Sequence, residues 1–488
     1  MRKKIVIIGG GIAGISAGIF GQKKDFDTEI YEMHTIPGGQ CTAWDRKGYR
    51  FDYCLHWLVG TRGGSFHKIW KETDVLNSNV KVMNQEIHSK IVDEEGNELI
   101  IYTSIDRWEK YLVELAPEDE KEINKMCRDM RKFSKMDQFE NPPELRTILD
   151  YAGMVIKILP AIRIIGKFGK KTCKQYFDTF NFKSPAINVL IKSFYGEADF
   201  SALAFLMMLT WFDQNNAGYL MGGSMPLIRR MTDKYKSLGG KLLTGKKVEK
   251  IIVENNKACG ISLSDGTIIN ADYVISAADG HSTIFKLLEG KYLSKKINEA
   301  YNTWPLFTPL VQVSFGINKA LKWDYPVVSY LSKNIKVGRT SLDHGYSIMN
   351  YSFDPSMSPE GKSTIILRFE SPWELWQNLT GESYTNEKKQ MEADALSLLE
   401  KKFPEVKGHV EVIDIATPRT DVDYTGVWKG AYEGFLPTGK NILETLKTTI
   451  PGLKRFYMCG QWLFPGGGLP PSAQSGKWVI DLITKKKS

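Results

Sequence analysis

The sequence predicts an α/β protein, a Rossmann-like domain assembled from discontinuous segments, with a helical insertion and a mixed-sheet second domain. Three observations carry this expectation. A glycine-rich turn at 9–14 joins an apolar run to a helical pattern, α/β patterning returns at 222 after a long stretch of helical spacing, and the C-terminal segment repeats the order strand, glycine loop, helix.

Taken in order, the chain opens with a strand at 4–8, the turn, a helix at 15–23 and a strand at 28–32, the first half of a doubly wound sheet. From 104 to about 212, charged and apolar residues alternate at helical spacing, which predicts a helical insertion. From Gly222 onward we expect a helix at 226–238, a strand at 248–253, a hairpin through Asn255 and Asn256, and a strand ending at 271–276. Val311, Val313, Phe315 and Ile317 alternate with Gln312, Ser314 and Gly316, a strand of a second, partly antiparallel domain. A strand at 456–458, a glycine loop and a helix at about 472–483 close the chain.

Composition narrows the class. With 488 residues, 42% of them hydrophobic, the chain is long enough for two or three domains. The formal charge of +9 is modest for this length and points to no nucleic-acid partner. No apolar run is long enough to span a bilayer, the longest candidate being 202–212. Met1-Arg2-Lys3-Lys4 resembles a signal-peptide start, but the apolar run behind it reaches glycine after four residues and reads as a buried strand. The six cysteines form no C-x-x-C pair, so neither a metal site nor a disulfide framework is expected. The cytoplasm is the expected compartment.

Gly9-Gly10-Gly11-Ile12-Ala13-Gly14 matches G-x-G-x-x-G. Gly9 allows the tight turn, Gly11 admits a pyrophosphate to the backbone, and Gly14 permits close helix-to-strand packing. The following helix turns its free N–H groups and positive end to the phosphates. Glu32, ending the next strand, is placed to accept hydrogen bonds from the adenosine ribose. A second glycine pair, Gly38-Gly39, follows at once, and Cys459-Gly460-Gln461 leads into Gly466-Gly467-Gly468-Leu469-Pro470-Pro471-Ser472. The extra glycine pair, which NAD domains lack, selects FAD. Amides of the C-terminal loop aimed at a flavin would stabilise charge on the reduced ring.

On these residues, together with Gly222-Gly223-Ser224-Met225-Pro226, the 239–266 block and Ala277-Ala278-Asp279, the chain resembles the phytoene desaturase, carotenoid isomerase and retinol saturase family of FAD-dependent oxidoreductases. The resemblance covers nearly the whole length. It implies that Val248 touches the adenine, Gly38 and Gly39 the pyrophosphate, Gly460 and Gln461 the pyrophosphate and ribityl region, and Leu469, Pro470 and Ser472 the isoalloxazine. Gln40 and Gln461 depart from the charged residues many relatives carry, Arg and Asp respectively. Phosphate charge is then left to the helix dipole or to a basic residue such as Arg46. The domains expected are an FAD-binding domain from 1–80, 215–290 and 435–488, a largely helical substrate- or membrane-facing insertion at 81–214, and a substrate-binding mixed α/β domain at 291–434.

No second G-x-G-x-x-G occurs, so the flavin exchanges electrons with a diffusing partner or ends its cycle unchanged. His56 is the titratable candidate, read as a proton donor or flavin attachment point, or else as a packed histidine. Cys54 and Cys459 read as small buried hydrophobes. The stretch Tyr424-Thr425-Gly426, with Gly430 and Gly434, reads as a loop passing the flavin ring or as a plain turn. The segment 201–212 is apolar all round, as core or as a tunnel wall. The segment 151–171 mixes apolar and basic residues, as in helices lying on anionic membranes or packed by one face. The expected activity is oxidation or reduction of carbon–carbon bonds in a long apolar, polyene-like or lipid substrate. The alternatives are a redox-neutral isomerase and a non-enzymatic escort of lipidated partners, the latter opposed by the intact fingerprint.

Overall fold

Five parallel strands form the first sheet of the computed structural model, which describes residues 2–134, 137, 140–193 and 199–485. Met1, the first residue of the basic start, lies outside them. The sheet order is Lys241–Leu243, Asp27–Tyr31, Lys4–Ile8, Tyr273–Ser276, Phe456–Met458, so three distant segments build it. The run Ile5 to Ile8 is apolar without a break because both faces are covered. Ile5 and Ile7 pack with Ile15, Ile19 and Ile480 of two helices on one side, and Val6 and Ile8 with Ile251 and Ile261 of an antiparallel meander on the other. Asn255 and Asn256, both at positive φ, turn that meander's hairpin as expected.

The first helix runs Ile12–Lys23 and the last Leu469–Lys485, each starting three residues before its expected position. They pack against each other so closely that a Cβ on Gly476 would lie 2.5 Å from the Ala13 carbonyl oxygen. Ser16 Oγ donates to the Ala473 carbonyl at 2.7 Å across the same contact. Both N-termini therefore emerge side by side at one edge of the sheet.

A second, seven-stranded mixed sheet follows the order Val410–Ala416, Leu310–Ile317, Ser363–Glu370, Tyr346–Asn350, Val327–Tyr330, Ile87–Val92, Glu98–Tyr102. Its last two strands correct the expectation of a helical stretch beginning at 81. The period-two pattern of Ile87 to Val92 pairs in parallel with Val327–Tyr330, and helices begin only at Ile105. One face of this sheet, through Val311, Val313, Phe315 and Ile317, packs on Met391, Ala395 and Leu399 of the Gly381–Lys402 helix. The polar positions of the same strand, Gln312 and Ser314, are also fully buried. They face the hairpin Ala43–Arg46 and Tyr49–Asp52, where Gln312 Nε2 donates to the Asp52 carbonyl at 3.2 Å.

The helical layer packs Trp108, Leu112, Met126, Phe177, Phe205 and Leu206 into a core of its own. Ala202–Asp213, the all-apolar segment, buries Leu203, Phe205, Leu206 and Leu209 there, while Met207 and Trp211 wall a recess of ≈ 400 Å³. Ile148–Ile158 has no buried residue: Ile148 is 87% exposed, Leu149 81% and Ile156 67%. No helix among the described residues is long and apolar enough to cross a membrane.

Candidate functional site

Both helix N-termini open on one cavity of ≈ 990 Å³. Its wall brings together Gly9, Gly11, Ala13, Glu32, Gly38, Gly39, Gln40, Val248, Gly460, Gln461, Leu469 and Ser472 from segments hundreds of residues apart. Pro470 lies in the first turn of the last helix, next to Leu469. Gly14 is not on the wall. A Cβ there would stand 2.0 Å from the Gly9 carbonyl oxygen, so the residue serves helix-to-turn packing, as its place in the motif implies.

The turn has a specific geometry. Gly9 sits at φ +97°, and the Gly38 N–H donates to the Gly10 carbonyl at 2.9 Å, laying the second glycine pair against the first. A Cβ on Gly11 would meet nothing nearer than 3.7 Å, so its glycine leaves open space on the cavity side. Glu32 is clamped: one carboxylate oxygen accepts from the Gly10 N–H at 2.7 Å and the other from the His34 N–H at 2.8 Å.

Gln461 Nε2 donates to Gln40 Oε1 at 3.1 Å, while Gln40 Nε2 is buried without a partner. A neutral amide clasp thus stands at the two positions noted as departures from the charged residues of many relatives, and it leaves one buried donor free for a ligand acceptor. Arg46, the sequence candidate for phosphate charge, lies on the wall but is paired there: its Nε donates to Asp414, also on the wall, at 2.8 Å. Glycine turns open to the cavity, two helix N-termini and an unpartnered amide all fit an anionic dinucleotide.

Behind the wall, fully buried Asp52 accepts from the Ser224 N–H (2.6 Å), the Ser224 hydroxyl (2.7 Å) and the Cys54 and Leu55 N–H groups (3.0 and 2.8 Å). It ties the hairpin to the N-terminus of the Ser224–Ser237 helix. Burial nevertheless pushes its carboxyl up. Asp279, on the cavity wall, accepts from the Ser282 N–H at 2.7 Å and the Trp428 N–H at 3.0 Å, and burial pushes it up to about 6. Asp421, also on the wall, accepts from the Tyr53 hydroxyl at 2.5 Å, and burial pushes it up to about 7. Sequence reasoning passed over all three. Their chemistry comes from burial, which a motif does not encode, although Asp279 stood inside a stretch already singled out.

Several expectations change here. His56 is not among the residues walling the cavity. Its Nδ1 lies 3.0 Å from the Cys54 carbonyl, which can only accept, so Nδ1 carries the hydrogen and Nε2 is a bare acceptor. Surrounding protein, then the Arg368 guanidinium, push the imidazole down, although its side chain keeps access to solvent, so the neutral form is the favoured one. Tyr424, at the end of the Pro418–Thr425 helix, packs edge-on against His34 at 5.1 Å, and with Thr425 and Gly426 it lines the cavity on the Glu32 side. Gly434 does approach Gln461 and Trp462, where a Cβ would meet the indole at 3.5 Å. Cys459 is buried, as expected, and Cys54 is half-buried beside Cys41, which raises its thiol well above the usual range.

Known proteins match this arrangement across its length. The 4,4'-diaponeurosporene oxygenase of Staphylococcus haemolyticus is 23% identical, covering 99% of this chain and 97% of that protein. The chloroplastic prolycopene isomerase of Arabidopsis thaliana is also 23% identical, over 99% and 84% respectively. Among solved structures, cyclohexylamine oxidase from Brevibacterium oxydans shares the fold at TM-score 0.62 and 14% identity, with full coverage of both chains. An oxidoreductase from Methanosarcina mazei does so at TM-score 0.61 and 18% identity, covering 98% of this chain and 100% of that one. The cavity's chemistry calls for FAD, the family profile described as flavin containing amine oxidoreductase matches residues 12–479 from the first helix to the last, and the chain is accordingly an FAD enzyme of that family.

Proposed function

We propose that this enzyme uses FAD to change the bond order of carbon–carbon bonds, by desaturation or saturation, in a long apolar polyene or lipid. The observation that carries the reading is the cavity itself. Beyond the glycine turns it extends past Trp44, Tyr53, Ile415, Ala416 and Val422, apolar surfaces set among the polar groups Asp414, Thr420 and Asp421. The relatives named above, an oxygenase of diaponeurosporene and an isomerase of prolycopene, support a polyene as substrate class.

In this reading the turn at Gly9, Gly11 and Ala13, with Gly38 and Gly39, holds the pyrophosphate under the first helix dipole. Glu32, oriented by its two N–H clamps, takes the ribose, and Val248 lies against the adenine. Gln40 Nε2 donates its free hydrogen to the cofactor, Gly460 and Gln461 follow the ribityl chain, and Leu469, Pro470 and Ser472 meet the ring. When bound, the flavin supplies two-electron chemistry at N5, while the protein orients the substrate carbon and keeps water away.

The exposed face at 148–171 supports delivery from a membrane surface. Ile148, Leu149, Ile156, Leu159 and Ile162 are exposed beside the cations Arg163, Lys167, Lys170 and Lys171. An apolar face edged with cations binds anionic lipid by both burial and charge.

The test is anaerobic mixing of the purified yellow protein with polyenes, following flavin bleaching and product mass. Bleaching with a product two hydrogens lighter, or reoxidation of the pre-reduced protein with a product two hydrogens heavier, is the expected result; neither change with any polyene sinks the proposal. A second reading, isomerisation without net redox change, is favoured by the prolycopene isomerase relatives. It predicts a product of unchanged mass and turnover that needs no electron acceptor.

A further inference from the structure

Removing two hydrogens from a carbon–carbon bond sends one away with its electron pair and the other as a proton. The flavin accounts for the first. A base on the cavity wall would take the second.

Most wall carboxylates are already held by stronger donors. Glu32 and Asp279 are clamped by backbone N–H groups, Asp414 by Arg46 and Trp44, Asp423 by Arg419, and Glu249 by Lys247. Asp421 is different. It projects from the Pro418–Thr425 helix, is 5% exposed, and its named side-chain partner is a hydroxyl, the Tyr53 Oη. Tyr53 follows the hairpin strand that continues from the second glycine pair, and its ring lines the same cavity. Its position is fixed from behind: the Arg368 guanidinium donates to its carbonyl and lies 5.8 Å from its ring, and Trp44 stands 6.1 Å from it in front.

We propose that Tyr53 and Asp421 form the proton acceptor of this site, a role that rests on the carbon–carbon redox reading above. In the oxidative direction, one substrate C–H bond breaks with its electron pair passing to the flavin, and the neighbouring C–H bond breaks as its pair becomes the new double bond. The released proton bonds to Tyr53 Oη as the phenolic proton moves to the Asp421 carboxylate. Tyr53 ends neutral, Asp421 ends protonated, and the two electrons reside on the flavin. Reduction runs the same transfers backwards.

The groups around the pair suit this task. Burial raises the Asp421 carboxyl, while the Tyr53 hydroxyl and then Arg368 of the Ser363–Glu370 strand favour the carboxylate, leaving the group at about 7. Tyr432 adds to the polar surroundings of the Tyr53 phenol, and Lys388 and Tyr384 approach the cavity from the Gly381–Lys402 helix. Tyr384 is spent on Thr417 and Thr420 at the start of the Asp421 helix. The phenol of Tyr53 is held far above its ordinary value, so it passes a proton without staying ionised.

The experiment uses the full-length, FAD-loaded protein and compares wild type with Asp421→Asn, Asp421→Glu and Tyr53→Phe. Flavin bleaching by an added polyene is timed anaerobically on both sides of pH 7. The wild-type rate is expected to rise with pH through about 7, as the base loses its proton. Asp421→Asn and Tyr53→Phe are each expected to lose that rise and about a hundredfold in rate. Asp421→Glu should recover part of both. A substrate-free measurement runs beside it: the infrared carboxyl band should titrate near pH 7 in wild type and vanish in Asp421→Asn. Retention of FAD and of the far-ultraviolet spectrum in each variant excludes misfolding, with Tyr53→Phe as the less disruptive change. If Asp421→Asn keeps the wild-type rate and pH profile, the assignment is overturned while the carbon–carbon reading stands. If polyenes neither bleach the wild type nor reoxidise its pre-reduced form, that reading fails, and a missing carboxyl titration would overturn the pair separately.

Discussion

Gly11 and Gly14 occupy the same motif, yet their substitution is expected to fail in opposite ways. An alanine Cβ at 14 would stand 2.0 Å from the Gly9 carbonyl oxygen and 3.3 Å from the Ala277 methyl. Backbone on one side and a strand end on the other must separate by about an ångström, the upper range of overpacking cost, roughly 3 kcal/mol. An alanine Cβ at 11 meets its nearest neighbour, the Gly38 carbonyl, at an ordinary 3.7 Å, and the φ of −78° is open to any residue. Stability there should hold or rise by about 0.4–1 kcal/mol through the unfolded chain. Its methyl instead enters the space a pyrophosphate needs, so FAD affinity should fall at least about tenfold, some 1.4 kcal/mol. Thermal unfolding without added FAD and fluorescence titration with FAD separate the two effects. Gly11→Ala should lose affinity and keep its melting temperature; Gly14→Ala should lose stability first. Equal destabilisation by both, or wild-type affinity in Gly11→Ala, would refute the division of labour.

Three further outcomes are expected. Asp279, at 3.8 unfolded and about 6 folded, binds its proton more tightly in the native state, so its share of stability falls as pH rises from about 4 to 6. The loss is on the order of 3 kcal/mol in the flavin-free protein, and urea unfolding of Asp279→Asn should show a flatter pH dependence over that window. Leu149→Glu with Ile156→Glu should cut binding to anionic vesicles at least about tenfold, and wild-type binding should weaken with salt; equal cosedimentation with neutral vesicles would return this face to ordinary surface. Acid precipitation should release the FAD, and His56→Ala should leave the pH profile unchanged above about pH 4, because the ring is neutral throughout that range; a flavin that stays on the pellet, or a lost limb of the profile, counts against this.

Much of the site was legible because short-range chemistry demands it. Gly9, Gly11 and Gly14 each answer a local steric need, and Ile5 to Ile8 must be covered on both faces, so sequence alone identified the parallel sheet, the turn and FAD. The C-terminal glycine loop was equally plain, since it repeats that local logic. Element ends drifted by a few residues, as at Ile12 and Leu469, because a helix start depends on which N–H groups find partners. What tertiary structure alone decided concerns groups whose meaning comes from distant neighbours. Arg46 looked available until Asp414 was brought to it across 368 positions. His56 looked like an acid until the neighbouring Arg368 guanidinium and a backbone carbonyl that chose its tautomer were brought to it. Tyr53 and Asp421 carried no signal, because a hydrogen bond between residues 368 apart and the burial that raises a carboxyl exist only once both domains close on the cavity. Local backbone geometry is written in residue type and spacing, whereas desolvation and pairing depend on which surfaces the folded chain brings together.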